Sequence, residues 1–150
     1  IIFCSNTGKR LGGSFWEKSS SASSYRAELL GLCSLHLFAL ALSDFYKIKW
    51  WTATLCCDNL RALQLSSHKR RCIRPSAACS DIHRSLRSTK AMLTGHFTYR
   101  HVSGHMERIL LWHQLFLVQQ FNCVCNTTTK ARVHQAITTG HLSVPTQLLP

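Results

Sequence analysis

Apolar and polar positions divide the chain into runs of different period. At the start, "IIFC", "SNTGKR" and "LGGSFWE" read as strand, turn and strand, with Asn6 and Gly8 suited to the positive φ of a hairpin. A polar connector, Ser19–Ser24, follows, and a serine at its end can cap the next helix. That helix begins near Tyr25 or Arg26 and carries the longest apolar stretch, Ala27–Leu42. Ile48–Cys57 has the β-branched and aromatic content of a buried strand, and Trp50 and Trp51 are read as packing residues. Asp58 closes it, and Asn59–Leu65 turns helical at once. Ser66–Ser76 is basic and aperiodic. Ser80–Leu93 is an amphipathic helix with Asp81 as its cap signal and Ile82, Leu86 and Leu93 on the apolar side. His96–Val102 alternates as a strand does. Helical periodicity then runs from Glu107 to about Ala136, with an expected interruption at Asn122–Asn126. Strands, helix, strand, two helices, strand and helix make a mixed α/β domain.

Length and composition narrow the class. A chain of 150 residues, 45% of them hydrophobic, can bury one real core and does not suit two comfortable domains. Ala27–Leu42 includes Glu28, Ser34 and His36 and falls short of the ~20 apolar residues of a membrane span, so a buried helix and no membrane partner are expected. The formal net charge is +12, and residues 61–150 hold twelve basic residues against two acids, Asp81 and Glu107. A field of that sign favours an anionic partner, of which a nucleic-acid backbone is the commonest. Of the eight cysteines, several lie in apolar runs such as "GLC" and "LCC". None of the spacings gives a C-x2-C ligand set, and Cys123 and Cys125 stand as a C-x-C without a matching second pair, so a reduced intracellular protein is expected.

Three segments carry chemistry. "SSYRAELLGL" places Glu28 in the first turns of a helix after a hairpin, and "TLCCDNLRALQ" places Asp58 where a strand runs into a helix. "YRHVSGHM" and "FNCVCNTTTKARV" follow as a last strand, a Gly-His loop and a closing helix. Together they resemble the ribonuclease H domain, and in flavour those attached to retroelement reverse transcriptases. The resemblance covers residues 1–136 and leaves 137–150 as a C-terminal tail. It implies a mixed sheet flanked by helices, and hydrolysis of the RNA strand of an RNA/DNA hybrid with two Mg²⁺ ions held by carboxylates. Glu28 would be the helix glutamate and Asp58 the strand aspartate, both metal ligands. His105 would assist proton transfer or product release. Lys69, Arg70, Arg71 and Arg74 would contact the nucleic-acid backbone.

The departures are as informative. Asn126 stands where the family has its fourth carboxylate, and the family's first-strand aspartate has no counterpart in these residues. The chain therefore reads as an N-terminally truncated domain without its central strand, impaired in hydrolysis and poorly stable alone. In the family that strand lies between the second and the fourth. Without it, the "IIFC" and "WTATLCC" segments expose unpaired edges or pair with each other. The rival expectations are a non-catalytic nucleic-acid-binding or dimerising remnant and a decayed reading frame. Either the enzyme or the binding remnant could have worked beside an upstream reverse transcriptase domain.

Overall fold

The computed structural model describes residues 2–4, 7–12, 23–67 and 79–139, so the basic run Lys69, Arg70, Arg71 and Arg74 lies outside the described residues. The chain is mixed α/β and falls into two compact units, one drawn from Ile1–Trp16 and Ser103–Pro150, the other from Glu17–Val102.

The Glu17–Val102 unit holds α1 (Ser24–Tyr46), β3 (Thr52–Cys57), α2 (Leu60–Ser67), α3 (Ser80–Met92) and β4 (His96–His101). Ser23 caps α1, its Oγ accepting from the Arg26 N–H at 3.1 Å, as the serine connector predicts. The helix is longer than its apolar run: at 23 residues it is long and apolar enough by length and composition to cross a membrane. Here it packs one face on α2 and α3, burying Leu29, Leu32, Cys33, His36 and Ser43, while Leu37 and Leu42 stay exposed. Lys47 ends it in the left-handed region at φ 54°, and the Ile48 N–H returns to the Ser43 carbonyl.

β3 and β4 pair in parallel from Thr52↔His96 to Cys57↔His101. The strand starts later than the β-rich run Ile48–Cys57 suggests, because the ladder begins only where β4 begins. The two tryptophans part company there. Trp51 donates its indole N–H to Ser43 Oγ at 2.7 Å and lies edge-on to Phe97, whereas Trp50 is 86% exposed rather than packed. Leu55 and Cys57, two apart and so on one face of β3, join Leu29, Leu32, Ala62, Leu63, Ile82 and Leu86 in the core. Asn59 caps α2, its Oδ1 accepting from the Ala62 N–H at 3.0 Å. The cap expected of Asp81 on α3 is corrected: Cys79 occupies the N-cap at φ 60° without a side-chain bond, and Asp81 forms a bidentate pair with Arg26 of α1 at 2.9 and 2.6 Å. That pair holds the Asp81 carboxyl down at about 2.

The other unit contains β1 (Ile2–Phe3) and β2 (Arg10–Leu11), an antiparallel hairpin turned at Gly8 with φ 68°, and α4 (Leu117–Thr138). Two 3₁₀ turns, Met106–Arg108 and Trp112–Gln114, replace the start of the helical periodicity expected from Glu107. α4 itself runs unbroken through Asn122–Asn126, where an interruption was expected. The weak helix propensity of Asn and Thr costs only tenths of a kcal/mol per residue, and burial of Cys123 within the stretch and of Ala136 beyond it anchors the helix. Among the described residues the strands form two two-stranded sheets, β1–β2 and β3–β4, instead of one mixed sheet, and β1 does not pair with β3.

Candidate functional site

Glu28 sits in the second turn of α1, and Asp58 is the first residue beyond β3. Thirty positions separate them in sequence, yet the structure brings them together with Cys57: the ligand-capable atoms of Glu28, Cys57 and Asp58 all lie within 4.8 Å of one another. Cys57 points inward with Leu55, toward α1, and its Sγ donates to Glu28 Oε2 at 3.2 Å. The same sulfur accepts from the Asn59 N–H at 3.4 Å as the chain turns into α2. The thiol thus links the end of the strand to the helix glutamate.

The electrostatics follow from half-burial of like charges. Burial pushes the Glu28 carboxyl above its ordinary value and the negative charge of Asp58 adds to this, while the Cys57 hydrogen bond works against it. Burial, then the Glu28 charge, pushes the Cys57 thiol up to about 12, so it stays protonated and acts as a donor to the carboxylate. Two carboxylates this close repel unless a cation or a proton lies between them. The donor chemistry fits one hard divalent cation, since Mg²⁺ is held through one or two carboxylates plus water or a substrate phosphate. A protonated thiol is no ligand for such an ion.

At the edge of the cluster, His101 ends β4 opposite Cys57, and its Nε2 lies 3.1 Å from the Asp58 carbonyl oxygen. On the other side Arg61, in the first turn of α2, places its guanidinium 5.3 Å from the centre of the Tyr25 ring, and the Tyr25 hydroxyl meets His83 Nε2 at 3.2 Å. Sequence reasoning missed Cys57, which reads as a small buried hydrophobe in "LCC". The signal was its place two residues after Leu55 on the face that looks toward Glu28.

Of the other sequence candidates, His105 and Asn126 lie in the other unit. His105 follows Gly104 in the left-handed region at φ 56°, and its Nδ1 is 3.3 Å from Glu107 Oε1. Glu107 also accepts from Cys123 Sγ at 3.1 Å, a bond that ties α4 to the first 3₁₀ turn and gives the buried Cys123 a structural part. Asn126 lies on α4 three residues beyond Cys123, and its Nδ2 is buried with no hydrogen-bond partner among the described residues. An amide donor left without an acceptor is costly, and a carboxylate at the same position would carry no such donor.

No protein-family model, curated protein or solved structure matches this chain.

Proposed function

We propose that the chain is a ribonuclease H-like domain of retroelement origin that has kept part of an acidic metal site and lost most of its hydrolytic power. The observation that carries this reading is the meeting of Glu28 and Asp58. The motifs pick out these two residues, from different elements, as partners in one site, and their carboxylates lie within 4.8 Å.

Glu28 and Asp58 would hold one Mg²⁺ ion, and that ion would polarise a phosphate oxygen of a bound backbone. The chain's own part is to hold the two carboxylates side by side, with the Cys57 thiol neutral and donating so that no third negative charge is added. A second ion needs further charge. Asn126 offers a neutral amide where the family has a carboxylate. Charge is most of what holds two divalent ions a few ångströms apart. Hydrolysis is therefore weak or absent.

A second reading, a nucleic-acid-binding remnant without cleavage, is favoured by the formal charge of +12. One experiment separates the two. The chain is mixed with an end-labelled RNA/DNA hybrid in Mg²⁺ over a range of salt. Binding that weakens steeply with salt, with at most trace cleavage, is expected. Vigorous Mg²⁺-dependent cleavage lost in Asp58→Asn would overturn the claim of impairment. Neither binding nor cleavage by a folded chain would overturn the ribonuclease H reading itself.

A further inference from the structure

β4 does more than complete the parallel pair. Its last ladder residue, His101, is level with Cys57, and the next N–H, that of Val102, donates to the Cys57 carbonyl at 3.1 Å. His101 Nε2 then lies 3.1 Å from the following carbonyl, that of Asp58. A carbonyl oxygen only accepts, so the proton of this bond sits on Nε2. Two successive carbonyls at the end of β3 are thus both held from β4, one by backbone and one by side chain.

The second bond falls where the ladder has run out. Asp58 lies past the last paired residue of β3 and before the first turn of α2, where the chain changes direction. A residue at such a junction owes its φ and ψ to whatever grips its own peptide groups. From the side of Glu28 the grip is the Cys57 thiol, which bonds Glu28 Oε2 and the Asn59 N–H. From the side of β4 it is the imidazole of His101. The histidine that the Gly-His motif singles out, His105, belongs to the other unit.

We propose that His101 is a positioning residue for the acidic site: its Nε2–H···O=C bond to Asp58 fixes the strand end so that the Asp58 carboxylate faces Glu28 and the pair can share one divalent cation. The inference rests on the reading of Glu28 and Asp58 as a metal-holding pair. Partners that orient metal ligands from behind are commonly worth about 10–100-fold in metal affinity. His101 is exposed, and water competes for its bond, which puts the expected effect at the lower end, about tenfold.

The test uses the whole 150-residue chain and Mn²⁺ as the probe, read from the loss of the free-ion electron paramagnetic resonance signal, so that no cleavage is required. Asp58→Asn should abolish binding. His101→Leu should weaken it about tenfold, and His101→Gln, whose amide N–H₂ can reach the same carbonyl, should recover most of the loss. His96→Leu, an exposed position on the same strand, should bind as the parent does. If His101→Leu binds Mn²⁺ like the parent while Asp58→Asn does not, the positioning role is wrong and the metal pair stands. The role is equally wrong if a folded His101→Gln binds as poorly as His101→Leu. If Asp58→Asn binds like the parent, the metal reading falls and takes this inference with it.

Discussion

Alkylation of Cys57 offers a direct probe of the acidic cluster, because its thiol is protonated for reasons the structure makes explicit. Burial comes first, with the side chain only 6% exposed, and the carboxylate of Glu28 3.2 Å away comes second. Together with the smaller effect of Asp58 they move the thiol from 9.0 to about 12. Only the thiolate attacks iodoacetamide, so the reactive fraction at neutral pH is about a thousandfold below that of an unperturbed thiol. The assay is competitive labelling under native conditions at several pH values, with each cysteine quantified by mass spectrometry and the exposed Cys4 as reference. Labelling of Cys57 should rise about tenfold per pH unit without levelling before the structure itself fails. Glu28→Gln removes the nearest negative charge and should speed labelling at fixed pH, about tenfold for each pKa unit recovered. Asp58→Asn should do so less, because Asp58 is the weaker influence. Labelling of parent Cys57 near the rate of an ordinary thiol at pH 8 would refute the geometry. No response to Glu28→Gln would show that the thiol and the glutamate are not neighbours.

Three other outcomes follow from the packing of the same unit. A Cβ at Gly95 would collide with the Trp51 indole ring, so Gly95→Ala must displace the ring and break its bond to Ser43, at a cost of about 1–3 kcal/mol in urea unfolding. Unchanged stability would show that Trp51 does not lie on Gly95. His36 is fully buried, its Nδ1 2.7 Å from the Leu32 carbonyl and its Nε2 2.8 Å from the Tyr99 hydroxyl. Burial lowers its pKa below 6.5, so the unfolded chain binds the proton more readily; the associated stability is complete above about 6.5 and is lost as pH falls through that value toward the lower folded one. Urea midpoints at pH 7.5 and 5.0 should differ more for the parent than for His36→Gln, and equal differences would remove His36 from the account. Ser66 Oγ is buried without a hydrogen-bond partner among the described residues, and the serine's backbone carbonyl accepts from Lys90 Nζ. Ser66→Ala should leave stability unchanged or raise it by up to about 1 kcal/mol in thermal melts. A clear loss would reveal a bond to the hydroxyl.

Much of the local structure was legible because it rests on local chemistry. The serine cap of α1, the positive φ at Gly8, the start of a helix soon after Asp58 and the strand at His96 need only the few residues around them. The misjudged boundaries needed a distant partner. Thr52 and not Ile48 begins β3 because His96 begins β4, and a β-rich run does not encode where its neighbour starts. α4 continues through the Asn-rich stretch because packing of Cys123 and Ala136 outweighs a small propensity cost. Asp81 looked like a cap from its position in front of an amphipathic run. Its partner, Arg26, is 55 residues away.

By itself the sequence determined the order of helices and strands, the surplus of positive charge, and Glu28 and Asp58 as the carboxylates to watch. Only the tertiary structure decided what stands between and behind them. Cys57 reaches the Glu28 carboxylate because strand alternation turns it toward α1, and His101 reaches the Asp58 carbonyl because the parallel register sets it level with Cys57. Which side chain faces which across two elements depends on register and helix rotation. Those are fixed by the burial of Leu29, Leu55 and Leu63 in one core, and no short motif records that event.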